Sequence, residues 1–118
     1  MAIAKNPSQR AVGTLAEAQA ADFLVAQGLK ILARQFTAKF GEIDLIVEDQ
    51  GELVFVEVKM RQNSHFGGAL AAVTSQKLHK IEQTGLLWLR QTGQPDRHYR
   101  IDVVAIEGGL IEWLKGVY

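Results

Sequence analysis

The chain has 118 residues, 47% of them hydrophobic, which fits one domain, residues 1–118, that buries one substantial core. It contains no cysteine, which excludes disulfides and thiolate zinc sites and makes a reducing cytoplasm the expected setting. Thirteen Lys and Arg balance thirteen Asp and Glu, so the total charge does not indicate a protein that coats nucleic acid. A local basic groove beside an acidic pocket is still compatible with a net charge of zero.

The first predicted element is a helix. Asn6 and Pro7 have the pattern of a helix cap followed by proline at the first helical position, and apolar residues then recur at helical spacing to about Gln27. Gly28 ends this helix, and residues 29–36 predict a first strand. The polar start of the chain has no signal-peptide core, and apolar runs are too short to span a bilayer, so we expect no membrane association.

A β-hairpin is predicted next. Residues 42–48 and 53–61 are rich in Val, Ile, Leu and Phe, and the residues between them, Asp49-Gln50-Gly51, favour a turn. The second helix is predicted to begin after a cap at Thr74 and to end near Gly93, following a flexible stretch around residues 63–68.

Two further strands are predicted at residues 99–106 and 110–114, separated by two glycines. The predicted order is therefore α-β-β-β-α-β-β. This order indicates an α/β fold with a sheet of about five strands and two main helices.

The hairpin places charged residues inside apolar strands. A turn centred between Gln50 and Gly51 sets Asp44 opposite Glu57 and Glu42 opposite Lys59. All four charged side chains then share one face of the hairpin. The opposite face is wholly apolar and consists of Ile43, Leu45, Val47, Val54, Val56 and Val58.

This arrangement predicts a metal-dependent site. Carboxylates that face each other across strands repel, and a protein tolerates this best when a cation or a reaction requires them. Mg²⁺ accepts one or two carboxylates and keeps several waters, which suits Asp44 with Glu57. Lys59 then points into the same pocket, where it can orient water or stabilise charge on a phosphate. The alternative is a surface ion pair between Glu42 and Lys59 beside two solvated carboxylates.

The residues Gly41-Glu-Ile-Asp-Leu-Ile46 and Val54-Phe-Val-Glu-Val-Lys59, with Arg61, resemble the uncharacterised YraN-type bacterial family. The resemblance extends from Gly13-x-x-x-Glu17 through Phe66-Gly67 and Lys77 to Arg100-Ile-Asp102. The chain departs from the family at Gln35-Phe36-Thr37, where a more basic segment containing Asn and Arg is usual.

That family is similar in pattern to the PD-(D/E)XK superfamily of restriction-endonuclease-like and Holliday junction resolvase-like enzymes, which cut DNA with Mg²⁺ or Mn²⁺. The resemblance implies that Asp44, Glu57 and Lys59 take the three signature roles. It also implies that Glu17 joins the metal site from the first helix, although Thr14-x-x-Glu17 is a capping-box pattern as well.

Other charged residues carry weaker expectations. Arg61 and Lys77 are candidates for contacts with nucleic acid, and Arg100 and Asp102 are expected to pair with each other.

Two functional hypotheses remain open. The first is a DNA-cleaving phosphodiesterase that uses Mg²⁺ or Mn²⁺, with a homodimer as the simplest arrangement for cutting a branched junction symmetrically. The second is a noncatalytic module that binds nucleic acid or a protein through the same cleft.

Overall fold

A computed structural model describes residues 7–61 and 73–118 and contains the predicted elements in the predicted order. Their bounds are α1 Pro7–Ala26, β1 Lys30–Ala38, β2 Gly41–Asp49, β3 Glu52–Arg61, α2 Ser75–Gln91, β4 Tyr99–Glu107 and β5 Leu110–Leu114. The prediction of an α/β fold is confirmed. Pro7 is the first residue of α1, as predicted, whereas its predicted cap Asn6 and the predicted flexible stretch 63–68 lie outside the described residues.

The five strands form one mixed sheet in the order β1-β2-β3-β4-β5. All neighbours are antiparallel except β3 and β4, which are parallel. A parallel pair requires a crossover connection, and α2 lies in the segment that joins β3 to β4. Neither helix in the described part of the chain has the length and apolar character needed to cross a bilayer.

The hairpin turn between β2 and β3 is as predicted. Gln50 and Gly51 occupy its centre with φ angles of 51° and 88°, and a left-handed conformation at both central positions is typical of the tight turn that joins antiparallel strands. The predicted register follows from this turn, with Asp49 paired to Glu52 and Leu45 paired to Val56.

Each face of the sheet is covered by a helix, which explains why the strands are apolar on both sides. The core on the α1 face is formed by Ala16, Ala20, Ala21, Leu24, Leu29, Leu45, Val47, Val54, Val56, Val104 and Ile106. The core on the α2 face is formed by Ile43, Ile46, Leu53, Phe55, Leu78, Ile81, Leu89 and Ile101. One predicted position is wrong, because Ile43 packs on the α2 face with Phe55 and not with Leu45 and Val47.

The strands β2 and β3 separate after Leu45 and Val56. From there β2 stays paired with β1 as far as Gly41, and β3 stays paired with β4 as far as Arg61. The predicted direct pairs of Asp44 with Glu57 and of Glu42 with Lys59 are therefore not formed, since the β2–β3 ladder ends one residue earlier. In place of a ladder bond, the backbone N–H of Val58 donates to Oδ2 of Asp44 at 2.8 Å. The two strands thus form a fork with polar side chains inside it.

Candidate functional site

A cleft of about 290 Å³ opens at this fork and collects charged side chains from both helices and from two strands. It contains four carboxylates and two lysines among its lining residues, which are Ala16, Glu17, Glu42, Asp44, Glu57, Val58, Lys59, Met60 and Lys77. All the catalytic residues predicted from the sequence therefore line a single cleft, and Lys77 joins them.

Three of the carboxylates form a compact acidic group. Glu17 from α1 and Glu42 and Asp44 from β2 each offer an oxygen, and these oxygens lie within 4.8 Å of one another. Hard divalent cations bind carboxylate oxygens at about 2.0–2.6 Å, so oxygens on opposite sides of such an ion are about 4–5 Å apart. The donor set and its spacing therefore fit Mg²⁺ or Mn²⁺.

The electrostatic environment of Asp44 opposes its negative charge. Burial raises the pKa of Asp44 to about 8, with a further contribution from the nearby charge of Glu57 and smaller ones from Glu17 and Glu42. The hydrogen bond from Val58 acts in the opposite direction but does not compensate. A cation placed among these oxygens would remove this repulsion.

Glu57 lies in the same cleft but outside the compact acidic group. Its carboxylate is almost fully buried, and its Oε1 is 3.0 Å from Nζ of Lys77 and 3.7 Å from Nζ of Lys59. Of the predicted metal ligands, Asp44 and Glu17 thus belong to the acidic group and Glu42 completes it, whereas Glu57 contacts two lysines.

The two lysines share Glu57 and influence each other. Burial lowers the pKa of Lys59, and the adjacent Lys77 lowers it further. Burial also disfavours the charged form of Lys77, but its contacts with Lys59 and Glu57 outweigh this effect and raise its pKa. Lys59 is thereby the cleft amine that loses its proton more readily.

Lys77 is placed by the first turn of α2. The predicted cap is present, since Oγ1 of Thr74 accepts a hydrogen bond from the backbone N–H of Lys77 at 3.1 Å. Local sequence favours a solvated helix face for such a lysine, and only the packing of α2 beside β3 brings it to Glu57. The backbone of Arg61 belongs to β3, but its side chain lies outside the described residues.

Gln35 is a neighbour of the site that sequence reasoning missed. Its Nε2 donates a hydrogen bond to Oε2 of Glu17, and its φ angle of 52° lies in the left-handed region that residues other than glycine rarely adopt. Strain of this kind persists only where surrounding contacts impose it. The sequence signal was weak, because Gln35 falls in a strand whose alternation is irregular.

A second charged group lies at the other end of β3 and is structural. The carboxylate of Asp102 is fully buried and accepts hydrogen bonds from Nε of Arg100 at 3.0 Å, Nε1 of Trp113 at 2.9 Å and the N–H of Gly116 at 2.9 Å. Arg100 also contacts Asp49 and Glu52. The expected pairing of Arg100 with Asp102 is confirmed.

Together, the fold and the cleft define a small mixed α/β domain with a carboxylate and lysine site at a strand fork. Comparison with known proteins gives its family. A model of the Uncharacterised protein family UPF0102 matches residues 16–106, and the chain belongs to this family.

The matches to relatives cover nearly the whole of this chain and most of each relative. A UPF0102 protein of Enterobacter sp. (strain 638) is 45% identical over 94% of this chain and 86% of its own. One from Aliivibrio fischeri (strain MJ11) is 44% identical over 94% of each chain. The predicted membership of the YraN-type family is thereby confirmed.

Proposed function

We propose that this protein is a metal-dependent nuclease that hydrolyses phosphodiester bonds in DNA, with branched or repair intermediates among its substrates. The observation that carries the proposal is the convergence of the acidic group Glu17, Glu42 and Asp44 with a buried Glu57 and Lys59 in one open cleft. The alternative, a solvated surface ion pair between Glu42 and Lys59, does not account for the buried carboxylate of Glu57 beside three others.

Each residue has a role that its contacts support. The acidic group supplies oxygen ligands for Mg²⁺ or Mn²⁺, and Val58 fixes the orientation of Asp44 through its backbone N–H. When bound, such an ion neutralises phosphate charge and lowers the pKa of a water ligand. Lys59 points into the cleft beside Glu57 and can donate a hydrogen bond to the attacking water or to a phosphate oxygen.

Lys77 has a different role in this proposal. Its side chain is more exposed than that of Lys59, and its ammonium contacts Glu57 from the side of α2. A phosphate that enters the cleft meets Lys77 at its edge, so this residue is suited to binding the nucleic acid. Lys77→Ala is therefore expected to weaken substrate binding more than it lowers the maximal rate.

The experiment is cleavage of a panel of labelled substrates in Mn²⁺ or Mg²⁺. The panel contains linear duplex, single-stranded, flapped and four-way DNA, with RNA as a comparison. Cleavage is expected for at least one DNA, and Glu57→Gln and Lys59→Ala are expected to lower its rate by about a hundredfold or more. Matched controls are Glu112→Gln and Lys30→Ala, which change exposed residues outside the cleft and should cleave normally.

Two results would overturn the proposal. One is the absence of cleavage of every DNA at high protein concentration; the other is cleavage that survives both cleft substitutions and therefore comes from a contaminant. The effect of Mn²⁺ on the melting temperature then distinguishes a protein with a metal site from a noncatalytic module without one. A noncatalytic binding module without a metal site would show no rise in melting temperature with Mn²⁺ that Asp44→Ala removes.

A further inference from the structure

The turn that leads into the acidic end of β2 carries an exposed aromatic side chain. Phe40 lies in the turn between β1 and β2, is 50% exposed, and precedes by two residues Glu42 of the acidic group. Large exposed hydrophobic side chains in the described part of the chain are Leu15, Val25, Phe40, Met60, Leu110 and Tyr118. Met60, another of these six, lines the cleft itself, and Phe40 lies two residues before the lining residue Glu42. A single exposed aromatic is ordinary on a surface, and its neighbours decide its meaning.

Those neighbours include two lysines besides the acidic Glu42. Lys39 precedes Phe40 in the turn and is exposed. Gly41 follows it and lies against α2, where a Cβ built on Gly41 would be 3.7 Å from Cβ of Lys80. Lys80 is exposed and lies one helical turn beyond Lys77, which reaches into the cleft. A lysine thus precedes Phe40 in the turn, a second lies on α2 beside the following residue Gly41, and Lys77 continues the series into the cleft.

Glu82 follows Lys80 by two residues in α2, but its carboxylate does not neutralise the positive charge of Lys80. Glu82 accepts a hydrogen bond from the hydroxyl of Tyr99 at 2.7 Å and is therefore directed toward β4. An exposed phenyl ring with lysines around it has the chemistry that binds single-stranded nucleic acid, since every base offers a face for stacking and lysines bind the phosphates between bases.

We propose that Phe40 is a stacking platform for an unpaired nucleobase, with Lys39 and Lys80 binding the adjoining phosphates. The proposal rests on the proposed function, because it concerns the strand whose phosphate enters the cleft. In continuous duplex both faces of a base are covered by neighbouring bases. The substrates selected are therefore those with unpaired bases beside the cleft, namely single strands, flaps and open branch points.

The test measures binding without cleavage. Fluorescence anisotropy of a labelled oligothymidine and of a blunt duplex is recorded in EDTA, with wild type and with variants at Phe40. Phe40→Ala is expected to weaken single-strand binding by about tenfold and to leave duplex binding nearly unchanged. Phe40→Trp should bind at least as well as wild type, because it keeps an aromatic face.

Two further variants isolate the aromatic ring. Phe40→Leu keeps apolar volume in the turn and loses the ring, so it should bind the single strand as weakly as Phe40→Ala even if the alanine variant is less stable. Leu110→Ala removes an even more exposed apolar side chain from β5 and should change neither affinity. Equal weakening of single-strand and duplex binding by Phe40→Leu, or no weakening by it, would overturn the stacking proposal.

The outcome is separable from that of the nuclease test. Single-strand binding that depends on Phe40, in a protein that cleaves nothing, would uphold the stacking platform and leave a binding module. Cleavage that requires Glu57 and Lys59, in a protein whose single-strand affinity does not depend on Phe40, would uphold the nuclease and overturn the stacking platform.

Discussion

Asp44 carries a charge that the folded protein disfavours. Its carboxyl is neutral in the folded state up to a pKa of about 8, whereas an unfolded chain ionises it near 3.8. The folded state therefore binds more protons between these two values, and this contribution to stability is present below pH 4 and is lost as the pH rises toward 8. Without metal, the protein should become less stable across that window.

Substituting Asp44 with Asn tests this directly. Asparagine keeps an oxygen that can accept the hydrogen bond from Val58 and cannot ionise. In EDTA at pH 8, Asp44→Asn is expected to raise the melting temperature by about 3 °C or more, which corresponds to about 1 kcal/mol. Near pH 4 the two proteins should melt together. A wild-type protein that matches or exceeds Asp44→Asn at pH 8 would contradict the expectation, and Mn²⁺ should stabilise only the wild type.

Gln35 is expected to act on the metal site through Glu17. Gln35→Gly relieves the left-handed backbone and removes the amide that holds Glu17, so it should weaken Mn²⁺ binding severalfold without lowering stability. Isothermal titration calorimetry measures the affinity.

Gln50→Gly is the matched control for Gln35→Gly. Gln50 has a φ angle of 51° in the exposed β2–β3 turn, and it does not line the cleft. This substitution should leave the affinity for Mn²⁺ unchanged. Equal affinity in both variants would assign Gln35 a purely structural role.

At the scale of elements, the approach of α2 to the sheet depends on Gly85. A methyl group at Gly85 would lie 2.3 Å from Cε2 of Phe55 and 2.5 Å from Cζ. Phe55 is fully buried and its ring centroid is 5.3 Å from that of Tyr99. The ring therefore has little freedom to move aside, and α2 must shift outward to accept a larger residue.

Gly85→Ala should therefore destabilise the protein. Alanine is the better helix former by about 1 kcal/mol, but overpacking a filled core costs about 1–3 kcal/mol, so we expect a net loss measured by urea denaturation. Gln76→Ala, at an exposed position of α2, should be neutral. Combining Gly85→Ala with Phe55→Leu should recover part of the loss, and a stabilised Gly85→Ala would refute the close contact.

The elements were predictable because their signals are local. Gln50 and Gly51 indicate the turn, and the turn determines the pairing of β2 with β3 as far as Leu45 and Val56. Thr74 indicates the start of α2. The fork was not predictable, because it arises where β1 holds β2 and β4 holds β3, and those partners are distant in sequence. Beyond the fork, Ile43 lies in the core on the α2 face, contrary to the predicted alternation.

Across the whole molecule, the balance of thirteen positive and thirteen negative side chains conceals two unlike charged groups. At the start of β3, Arg100 satisfies Asp102 and its neighbours with hydrogen bonds. Toward its end, the cleft gathers more carboxylates than lysines and leaves Asp44 without a cationic partner among the described residues. Composition cannot distinguish these groups. Sequence patterns predicted the residues of the cleft, but the position of Lys77 beside Glu57 required the folded chain.

The central position of β3 has a consequence for synthesis. Its two neighbours are made at different times, since β2 precedes it in the chain and β4 follows only after α2. A nascent chain that ends after β3 contains the acidic group and Glu57, yet it lacks Lys77 and leaves β3 at the edge of the sheet, paired with β2 alone. The lining residue that is synthesised last therefore lies in α2, and a prematurely terminated product would contain the acidic group without the complete cleft.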